Sequence, residues 1–352
     1  MNVFRIINRE DIIFDFLVAT HQEKEYDLEI LKLGGKIYRS PRYGNIVLAS
    51  KVLYRTIKLY GPFHAVHVHG RSVIGLQLLI ARLANVPIRI GHVHNINKPN
   101  ISNYKLRIWH KIMKILTIHN STSFLGCSPA ACDSFFGNNS TNFIPKVHFL
   151  PYGINLDNFT NTCGERDIRL EFSIPSTFKI LGHIGNFRIE KNHSLIIDIF
   201  KSLLENDPNW VLFLVGLGDN ALENSIKEKV IELNLANNVF FTGQRSDIPC
   251  LASAFNVFIF PSKAEGFGLV VLENQALGIP TIVSTMVPEE TSVIPDLSFR
   301  VGLDDNINKW VDAIIMASNI KYNKKKAQEY ISESAFNINN CVTELVHSYY
   351  CI

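Results

Sequence analysis

A predicted buried strand, a glycine loop and a helix follow one another between residues 257 and 280. Gly266 and Gly268 lie in the loop, where the absence of a Cβ lets the backbone approach a ligand closely. The first free amides of the following helix favour a negatively charged ligand. Glu265 precedes the loop and Glu273 follows about two turns later, so both carboxylates can face one cleft and accept hydrogen bonds from sugar or ribose hydroxyls. Two solvated glutamates beside a lone glycine loop are the structural alternative.

A basic loop precedes another predicted helix in the second half of the chain. It contains Gly185 and Asn186, followed by Arg188 and Lys191. Two cations at the start of a helix, beside a glycine turn, form a favourable diphosphate site, because their charge and the direction of the helix amides both attract anions. Solvated loop charges are the alternative interpretation of this pair.

Strands and helices alternate with short connections in both halves of the 352-residue chain. This alternation predicts an α/β fold with doubly wound parallel sheets. The length allows two domains, each with its own hydrophobic core. In such sheets ligands bind outside the carboxyl ends of the strands. A glycine turn at Gly216 follows one of these predicted strands, although this motif is weak by itself.

Histidines occupy the carboxyl ends of two successive predicted strands in the first half. His67 and His69 lie on one strand, and His92 and His94 on the next. Because side chains alternate along a strand, the members of each pair share one face. The position suits a substrate site, whereas a lone histidine is more often a structural loop residue. Two His-x-His pairs also match zinc ligands, but no carboxylate or thiol at ligand spacing completes such a site.

The composition excludes several classes of protein. A net charge of +3 is too small to indicate nucleic-acid binding. The chain has no apolar run of the roughly 18 residues that a membrane span needs, and its polar first residues do not form a signal peptide. The six cysteines are scattered without a CxxC pair, which predicts reduced thiols in a cytoplasmic protein and no metal site built on cysteine.

The spacing of Glu265 and Glu273 resembles the signature of retaining family-4 glycosyltransferases of the GT-B type, particularly bacterial enzymes of capsular and exopolysaccharide assembly. The resemblance extends over nearly all of the chain. It implies a GT-B fold, in which two Rossmann-like doubly wound domains face a central cleft. It also implies that Glu265 contacts hydroxyls of the donor sugar and that Glu273 holds the ribose. The catalytic residues implied by the resemblance are His94, Arg188, Lys191 and Glu265.

The resemblance further implies a donor site formed largely by loops. In the family, a segment matching the one around Arg245 recognises the nucleotide base, by main chain more than by side chain. The donor-binding residues are then Gly185, Asn186, Gly216, Arg245, Gly266, Phe267, Gly268, Leu269 and Glu273. His69 and His92 are the weaker candidates for contact with the acceptor.

The sequence departs from the family pattern at three places. Asn186 stands where the family has the arginine of the diphosphate motif, with Arg188 two residues further on. Tyr152 and Asn155 replace an asparagine and an aspartate in the crossing between domains. The usual first strand and its glycine-rich loop are missing, since Met1 matches a position inside the first helix. The expectation is a chain truncated at its start.

We predict an N-terminal acceptor-side domain over residues 1–157 and a nucleotide-sugar donor domain over 158–334. Residues 335–352 then form a C-terminal helix that crosses back to the first domain. An amphipathic helix over residues 104–116 carries a basic stripe beside apolar side chains. It suits an anionic membrane surface at the inner face of the cytoplasmic membrane, and it equally suits an ordinary surface helix.

The predicted function is retaining transfer of a sugar from a nucleotide diphosphate sugar, with UDP favoured over GDP, to a saccharide or lipid-linked saccharide. The sequence contains no DxD motif to hold a metal at the diphosphate, and no cofactor is expected. Two alternatives remain open at this point. One is a truncated, catalytically impaired nucleotide-binding protein, and the other is a nucleotide-sugar epimerase of the same fold.

Overall fold

The computed structural model describes residues 1–41, 45–70, 73–94, 104–136, 147–160, 165–218 and 220–350. The chain divides into two compact units. The first combines Met1–Gly153 with Ile338–Ile352, and the second is Ile154–Asn337. The domain boundaries predicted after residues 157 and 334 both lie inside the second unit, close to its ends.

In the described part of the first unit, the strands form two parallel sheets. The strands are β1 (Phe16–Val18), β2 (Ile37–Arg39), β3 (Ala65–His69), β4 (Ile88–Val93), β5 (Ser123–Gly126) and β6 (Val147–Phe149). β1 pairs with β2, and β3 to β6 form a second sheet in chain order. The helices before residue 153 are α1 (Asn2–Ile6), α2 (Asp27–Lys32), α3 (Ile46–Tyr60), α4 (Ile74–Leu83), α5 (Tyr104–Asn120) and α6 (Pro129–Phe136). β-Branched and aromatic residues favour these strands, and the Asn45 side chain caps α3 by accepting a hydrogen bond from Leu48 N.

The apolar run over residues 12–18 predicts a buried strand, but the observed strand β1 is shorter. Only Phe16–Val18 pair with a neighbouring strand. The preceding apolar residues pack on α1 instead, where the ring of Phe14 stacks on Phe4 with centroids 5.8 Å apart. No hydrogen-bonded ladder joins the two sheets through residues that the structure describes. The predicted N-terminal sheet is therefore divided into two.

The strands described in the second unit form one parallel sheet. They are β7 (Lys179–Ile184), β8 (Trp210–Val215), β9 (Val239–Gly243), β10 (Val257–Phe260), β11 (Thr281–Ser284) and β12 (Ser298–Val301). Their order in the sheet is β12-β11-β10-β7-β8-β9. The chain runs outward from β7 to one edge and from β10 to the other, so the topological switch point lies between these two neighbouring strands.

Helices cover both faces of this sheet. They are α7 (Glu165–Glu171), α8 (His193–Asn206), α9 (Asn220–Glu232), α10 (Ile248–Ala252), α11 (Leu269–Ala276), α12 (Ile307–Ser318) and α13 (Lys324–Ser332). Leu212 and Leu214 share a core with Ile196 of α8 and Trp310 of α12. Phe213 points to the other face, where its ring lies 4.8 Å from that of Phe172. Burial on both faces explains why β8 is apolar throughout.

The C-terminal helix α14 (Ile338–Tyr350) belongs to the first unit. Leu345 and Tyr349 are buried in one cluster with Ile88 and Ile90 of β4. His64 Nε2 donates a hydrogen bond to the Tyr349 carbonyl oxygen at 2.9 Å. These contacts hold α14 against β4 and against the residue that precedes β3, the two strands that carry the histidines.

Two sequence predictions about membranes and thiols have different outcomes. None of the helices in the described ranges is long and apolar enough to cross a membrane. Cys127, Cys132 and Cys341 are buried and not disulfide-bonded, as expected for reduced thiols. Cys250 is disulfide-bonded, so the prediction of reduced thiols is wrong for this residue. Sequence spacing does not reveal such a pairing, because the tertiary structure decides which cysteines meet.

Candidate active site

Lys191 and Glu265 form an ion pair at the switch point of the second unit. Lys191 Nζ lies 2.6 Å from Glu265 Oε1, and only 20% and 13% of the two side chains is exposed. Lys191 ends a short 3-10 helix after β7, and Glu265 follows β10. Because β7 and β10 are neighbouring parallel strands, their carboxyl ends meet at one edge of the sheet. Two residues that the sequence places in separate loops are thereby brought into contact.

The Lys191 side chain is confined on its other sides. Its Nζ lies over the Phe260 ring, 4.4 Å from the centroid. A cation over an aromatic face is stabilised by about 0.5–2 kcal/mol, depending on its solvent exposure. A Cβ added at Gly185 would lie 3.3 Å from Lys191 Cδ, which shows how closely the lysine stem follows this loop. The ammonium group is therefore positioned at the sheet edge before any ligand binds.

Direct hydrogen bonds join β7 and its following loop to β10 and the loop that follows β10. Lys263 N donates to the Glu190 carbonyl oxygen at 2.7 Å. His183 is fully buried, and its Nδ1 donates to the Ile259 carbonyl oxygen at 2.9 Å. Burial lowers the pKa of His183 well below its usual value, so the ring stays neutral and keeps this bond. His183 is a positioning residue that the sequence analysis missed, because nothing in its spacing marks it.

The loop after β8 packs against the loop after β7 at Gly216. Gly216 has φ +143°, and a Cβ there would lie 2.4 Å from the Gly185 carbonyl oxygen. Phe187 N donates to the Leu217 carbonyl oxygen at 3.0 Å, which joins the same two loops one step further on. Glycine at position 216 is required because any side chain would separate these loops. The structure therefore brings Gly185 and Gly216, both predicted donor-site residues, together.

The glycine loop leads directly into the N-terminus of α11. Gly268 occupies the cap position with φ 95° and ψ 52°, and no side chain caps this helix. Phe267 is buried, with its ring centroid 5.3 Å from that of Phe336. Gly266 and Leu269 flank this anchored segment. The positive end of the α11 dipole is thus exposed to a ligand next to the Glu265 loop.

Glu273 lies on α11, one turn after the first residue of the helix. Burial raises the pKa of its carboxyl group to about 7. Within the described ranges, no group donates a hydrogen bond to this carboxyl. An ionised carboxylate in such a place is stabilised by hydroxyl donors, which a vicinal diol supplies in pairs. A buried acid with a raised pKa near a sheet edge is a typical feature of a binding or catalytic site.

Three side chains predicted for donor binding or catalysis take no part in the Lys191–Glu265 ion pair. Asn186 and Arg188 are exposed in the loop after β7. Arg245 forms paired hydrogen bonds to Glu171, at 2.5 and 3.0 Å, and to Asp247, at 2.8 and 2.7 Å. These carboxylates raise the pKa of Arg245 above its usual value. The Arg245 guanidinium is therefore committed to the protein, which leaves its main chain for any contact with a base.

The predicted histidines of the first unit form a compact group. His69 of β3 lies in register with His92 of β4. His67 Nε2 and His92 Nδ1 are 3.0 Å apart, and His69 Nδ1 and His94 Nε2 are 2.7 Å apart. Burial lowers the pKa of His94 to about 4, and burial with neighbouring imidazoles keeps that of His92 well below its usual value. These rings are neutral at physiological pH.

Tyrosines complete the histidine group from two other segments of the first unit. The Tyr152 hydroxyl is hydrogen-bonded to His94 Nδ1. The Tyr349 hydroxyl of α14 is hydrogen-bonded to His67 Nδ1 at 2.8 Å. In the sequence Tyr152 stands out only as a departure from the family pattern, and nothing links Tyr349 with the histidines. Both contacts depend on tertiary structure, since neither tyrosine lies near the histidines in sequence.

Comparison with known proteins assigns the family. Residues 165–336 match the family described as Glycosyl transferases group 1. The chain is 31% identical to the putative glycosyltransferase EpsF of Bacillus subtilis, over 99% of this chain and 91% of that protein. It is 26% identical to the capsular polysaccharide biosynthesis glycosyltransferase CapM of Staphylococcus aureus, over 87% of this chain and 82% of CapM.

A solved structure agrees with the fold. The Anabaena protein HepE, crystallised with UDP-glucose, superposes with a TM-score of 0.75 at 16% identity. The superposition covers 97% of this chain and all of the HepE chain. At this identity the likeness concerns the fold, and it extends over both units.

Proposed function

The chain belongs to the group 1 glycosyltransferases, and we propose that it transfers a sugar from a UDP-sugar to a saccharide or lipid-linked saccharide in surface polysaccharide biosynthesis. Its fold is GT-B, as the sequence predicted. Transfer proceeds with retention of configuration at the anomeric carbon. The similarity to CapM, which is named for capsular polysaccharide biosynthesis, supports the pathway class.

The observation that carries this proposal is the Lys191–Glu265 pair beside the uncapped start of α11. A departing nucleoside diphosphate develops negative charge, and a lysine and helix amides already in position stabilise that charge without reorganising. Without donor, Glu265 neutralises Lys191. When donor binds, Lys191 exchanges this partner for a phosphate oxygen, and Glu265 becomes free to accept hydrogen bonds from the sugar hydroxyls.

We propose that the nucleotide is held by Glu273 through its ribose hydroxyls. The crystallisation of HepE with UDP-glucose supports UDP as the nucleotide. The Arg245 side chain is occupied by Glu171 and Asp247, which favours base recognition by the main chain at this position. Arg188 reaches the outer phosphate from its exposed position, in place of the arginine that the family has at Asn186.

The transfer itself needs no protein nucleophile. The bond between the anomeric carbon and the phosphate oxygen breaks, the acceptor hydroxyl oxygen forms the new bond on the same face, and the leaving phosphate takes the hydroxyl proton. Lys191 and the α11 amides supply the positive potential, and we propose that no metal or other cofactor takes part at the diphosphate. His94 serves as a contact for the donor sugar, with its ring orientation set by Tyr152 and His69.

Acceptor access at an anionic membrane surface is supported by α5. Tyr104, Ile108, Ile112 and Ile115 are exposed at helical spacing along this helix. Exposed basic residues flank them at Lys105, Arg107 and Lys111. An exposed apolar row bordered by cations suits a bilayer interface containing anionic lipid. The protein then works at the inner face of the cytoplasmic membrane.

Vesicle co-sedimentation tests this membrane contact. The wild-type protein should bind vesicles that contain anionic lipid, and an Ile108→Glu/Ile112→Glu variant should lose that binding. Met316→Glu, which alters an exposed apolar residue of α12, is the matched control and should bind like wild type. Equal binding by all three proteins would refute a role for α5.

A donor panel tests the transferase activity. Calorimetric titration of UDP and GDP into the wild-type chain should show binding of UDP, and Glu273→Ala should lose it. Incubation of UDP-sugars with lipid-linked and oligosaccharide acceptors should then give a product whose anomeric configuration is read by NMR. Nucleotide binding without turnover on any acceptor would instead identify a binding protein, and conversion of the free UDP-sugar into its epimer would identify an epimerase.

A further inference from the structure

Three imidazoles of the first unit are close enough to share one ligand. Ligand nitrogens of His67, His69 and His92 all lie within 4.8 Å of one another. Tetrahedral zinc with Zn–N bonds of 2.0–2.1 Å places its ligand nitrogens about 3.4 Å apart. The rings of His67 and His69 are stacked with centroids 4.2 Å apart, so metal binding requires these rings to rotate until their lone pairs converge.

One nitrogen in this group is buried without a partner. His92 is 4% exposed, and its Nδ1 faces His67. Within the described part of the chain, His92 Nε2 has no hydrogen-bond partner. An unpaired buried polar atom is destabilising, so it calls for an explanation such as an ion or an ordered water.

Hydrogen bonding between the rings does not remove this cost. If His67 Nε2 donates to His92 Nδ1, the proton of His92 sits on Nε2 and has no acceptor. If His92 Nδ1 donates instead, Nε2 carries a lone pair that has no donor. Both neutral tautomers therefore leave the same atom unsatisfied. Coordination of a cation by the Nε2 lone pair of His92 would satisfy this atom, and the ion would then replace the hydrogen bond between His67 and His92.

The surroundings of the group resemble those of metal ligands. The Tyr349 hydroxyl holds His67 Nδ1 at 2.8 Å, which orients that ring and leaves Nε2 directed at the group. His69 Nδ1 is held in the same way by His94 Nε2 at 2.7 Å. Metal-bound histidines typically have their second nitrogen fixed by such a partner. The exposed position of His69 provides an entry path from solvent.

We propose that His67, His69 and His92 bind one divalent transition-metal ion, with Zn²⁺ as the best match. The donor set consists of imidazole alone, which favours zinc, copper, nickel or cobalt over the oxygen-binding ions magnesium, calcium and manganese. Three protein ligands leave a fourth tetrahedral position open for water or another group. The site lies in the first unit, whereas the proposed diphosphate site lies in the second, so metal binding can be tested independently of nucleotide binding.

Calorimetric titration of Zn²⁺ into chelator-treated, full-length protein tests the site. We expect one equivalent bound, with affinity reduced at least about 10–100-fold in His92→Ala and in His69→Ala. His148→Ala removes an exposed histidine of β6 in the same sheet and should bind like wild type. Co²⁺ provides a second readout, since tetrahedral coordination gives an intense visible absorption band that both ligand variants should lose.

The His69→Ala variant separates loss of metal binding from misfolding, because His69 is exposed. His92→Ala alters a buried residue, whereas His69→Ala should keep the circular dichroism spectrum and the cooperative unfolding of wild type. Zn²⁺ should raise the unfolding temperature of the wild-type protein and not that of His69→Ala. The proposal is overturned if wild type binds no stoichiometric Zn²⁺, or if the properly folded His69→Ala variant binds it with unchanged affinity.

Discussion

Replacing Glu273 by glutamine should stabilise the unliganded protein and weaken its binding of UDP. The carboxyl group lies on α11, and burial raises its pKa to about 7. Glutamine keeps the shape of the side chain and removes the charge. The loss of a charged acceptor for ribose hydroxyls should reduce UDP affinity about 10–100-fold, because hydrogen bonds to charged groups contribute about 1.5–3 kcal/mol.

The size of the stabilisation follows from the pKa. Folding raises the pKa of this carboxyl group from 4.5 to about 7, so the folded state binds the proton more tightly than the unfolded state. The favourable contribution of the protonated acid is then present at low pH and is lost as the pH rises from 4.5 through 7. Proton linkage gives a destabilisation of about 1 kcal/mol at pH 5 and about 3 kcal/mol at pH 8. Glutamine does not carry this penalty at either pH.

Urea unfolding followed by tryptophan fluorescence measures this effect in the relevant unit. Trp210 and Trp310, two of the three tryptophans, are fully buried in the core of the second unit. Glu273→Gln should be more stable than wild type by about 3 kcal/mol at pH 8 and by about 1 kcal/mol at pH 5. Glu228→Gln, at an exposed position on α9, should differ from wild type by less than about 0.5 kcal/mol at both pH values.

The dependence on pH is the decisive part of this experiment. A stabilisation of equal size at pH 5 and pH 8 would show that packing, and not the buried charge, explains the effect. A variant less stable than wild type at pH 8 would refute the raised pKa. For wild type, UDP affinity should fall as the pH drops below about 7, because the protonated carboxyl group no longer acts as a charged acceptor.

Three further substitutions test other parts of the site. Lys191→Met should lower the rate of transfer at least about 100-fold by removing charge stabilisation of the departing diphosphate, and the exposed Lys263→Met should leave the rate unchanged in the same assay. Arg245→Lys should reduce the free energy of unfolding by about 1 kcal/mol, because lysine cannot form the paired bonds; unchanged UDP affinity in calorimetry would support main-chain recognition of the base, and a large loss would contradict it. Gly216→Ala should destabilise the second unit by about 2–4 kcal/mol in urea unfolding. Residue 216 has φ +143°, and its added Cβ would lie 2.4 Å from the Gly185 carbonyl oxygen. A variant as stable as wild type would show that the loops can separate at little cost.

The sequence predicted the fold most reliably where secondary structure depends on a local pattern of residue types. Alternation of apolar strands and helices predicted the doubly wound sheet of the second unit, because burial on both faces forces continuous apolar strands. Gly268 and the helix that begins at Leu269 were predicted from the glycine loop, since a left-handed cap requires a residue without a Cβ. The pattern failed at residues 12–15, where apolar side chains pack on Phe4 and do not pair in a sheet.

Pairing between distant segments was decided by tertiary structure. The sequence identified Lys191 and Glu265 as separate candidates, and the adjacency of β7 and β10 makes them an ion pair. The sequence also showed two His-x-His pairs but no further ligand for zinc. The register of β3 and β4 brings the two pairs together and sets His92 beside His67 and His69, so three imidazoles meet without a ligand of another type. Residue types and their local spacing are determined by the sequence alone, whereas strand order and register determine which of these groups meet, since they depend on contacts across the whole sheet.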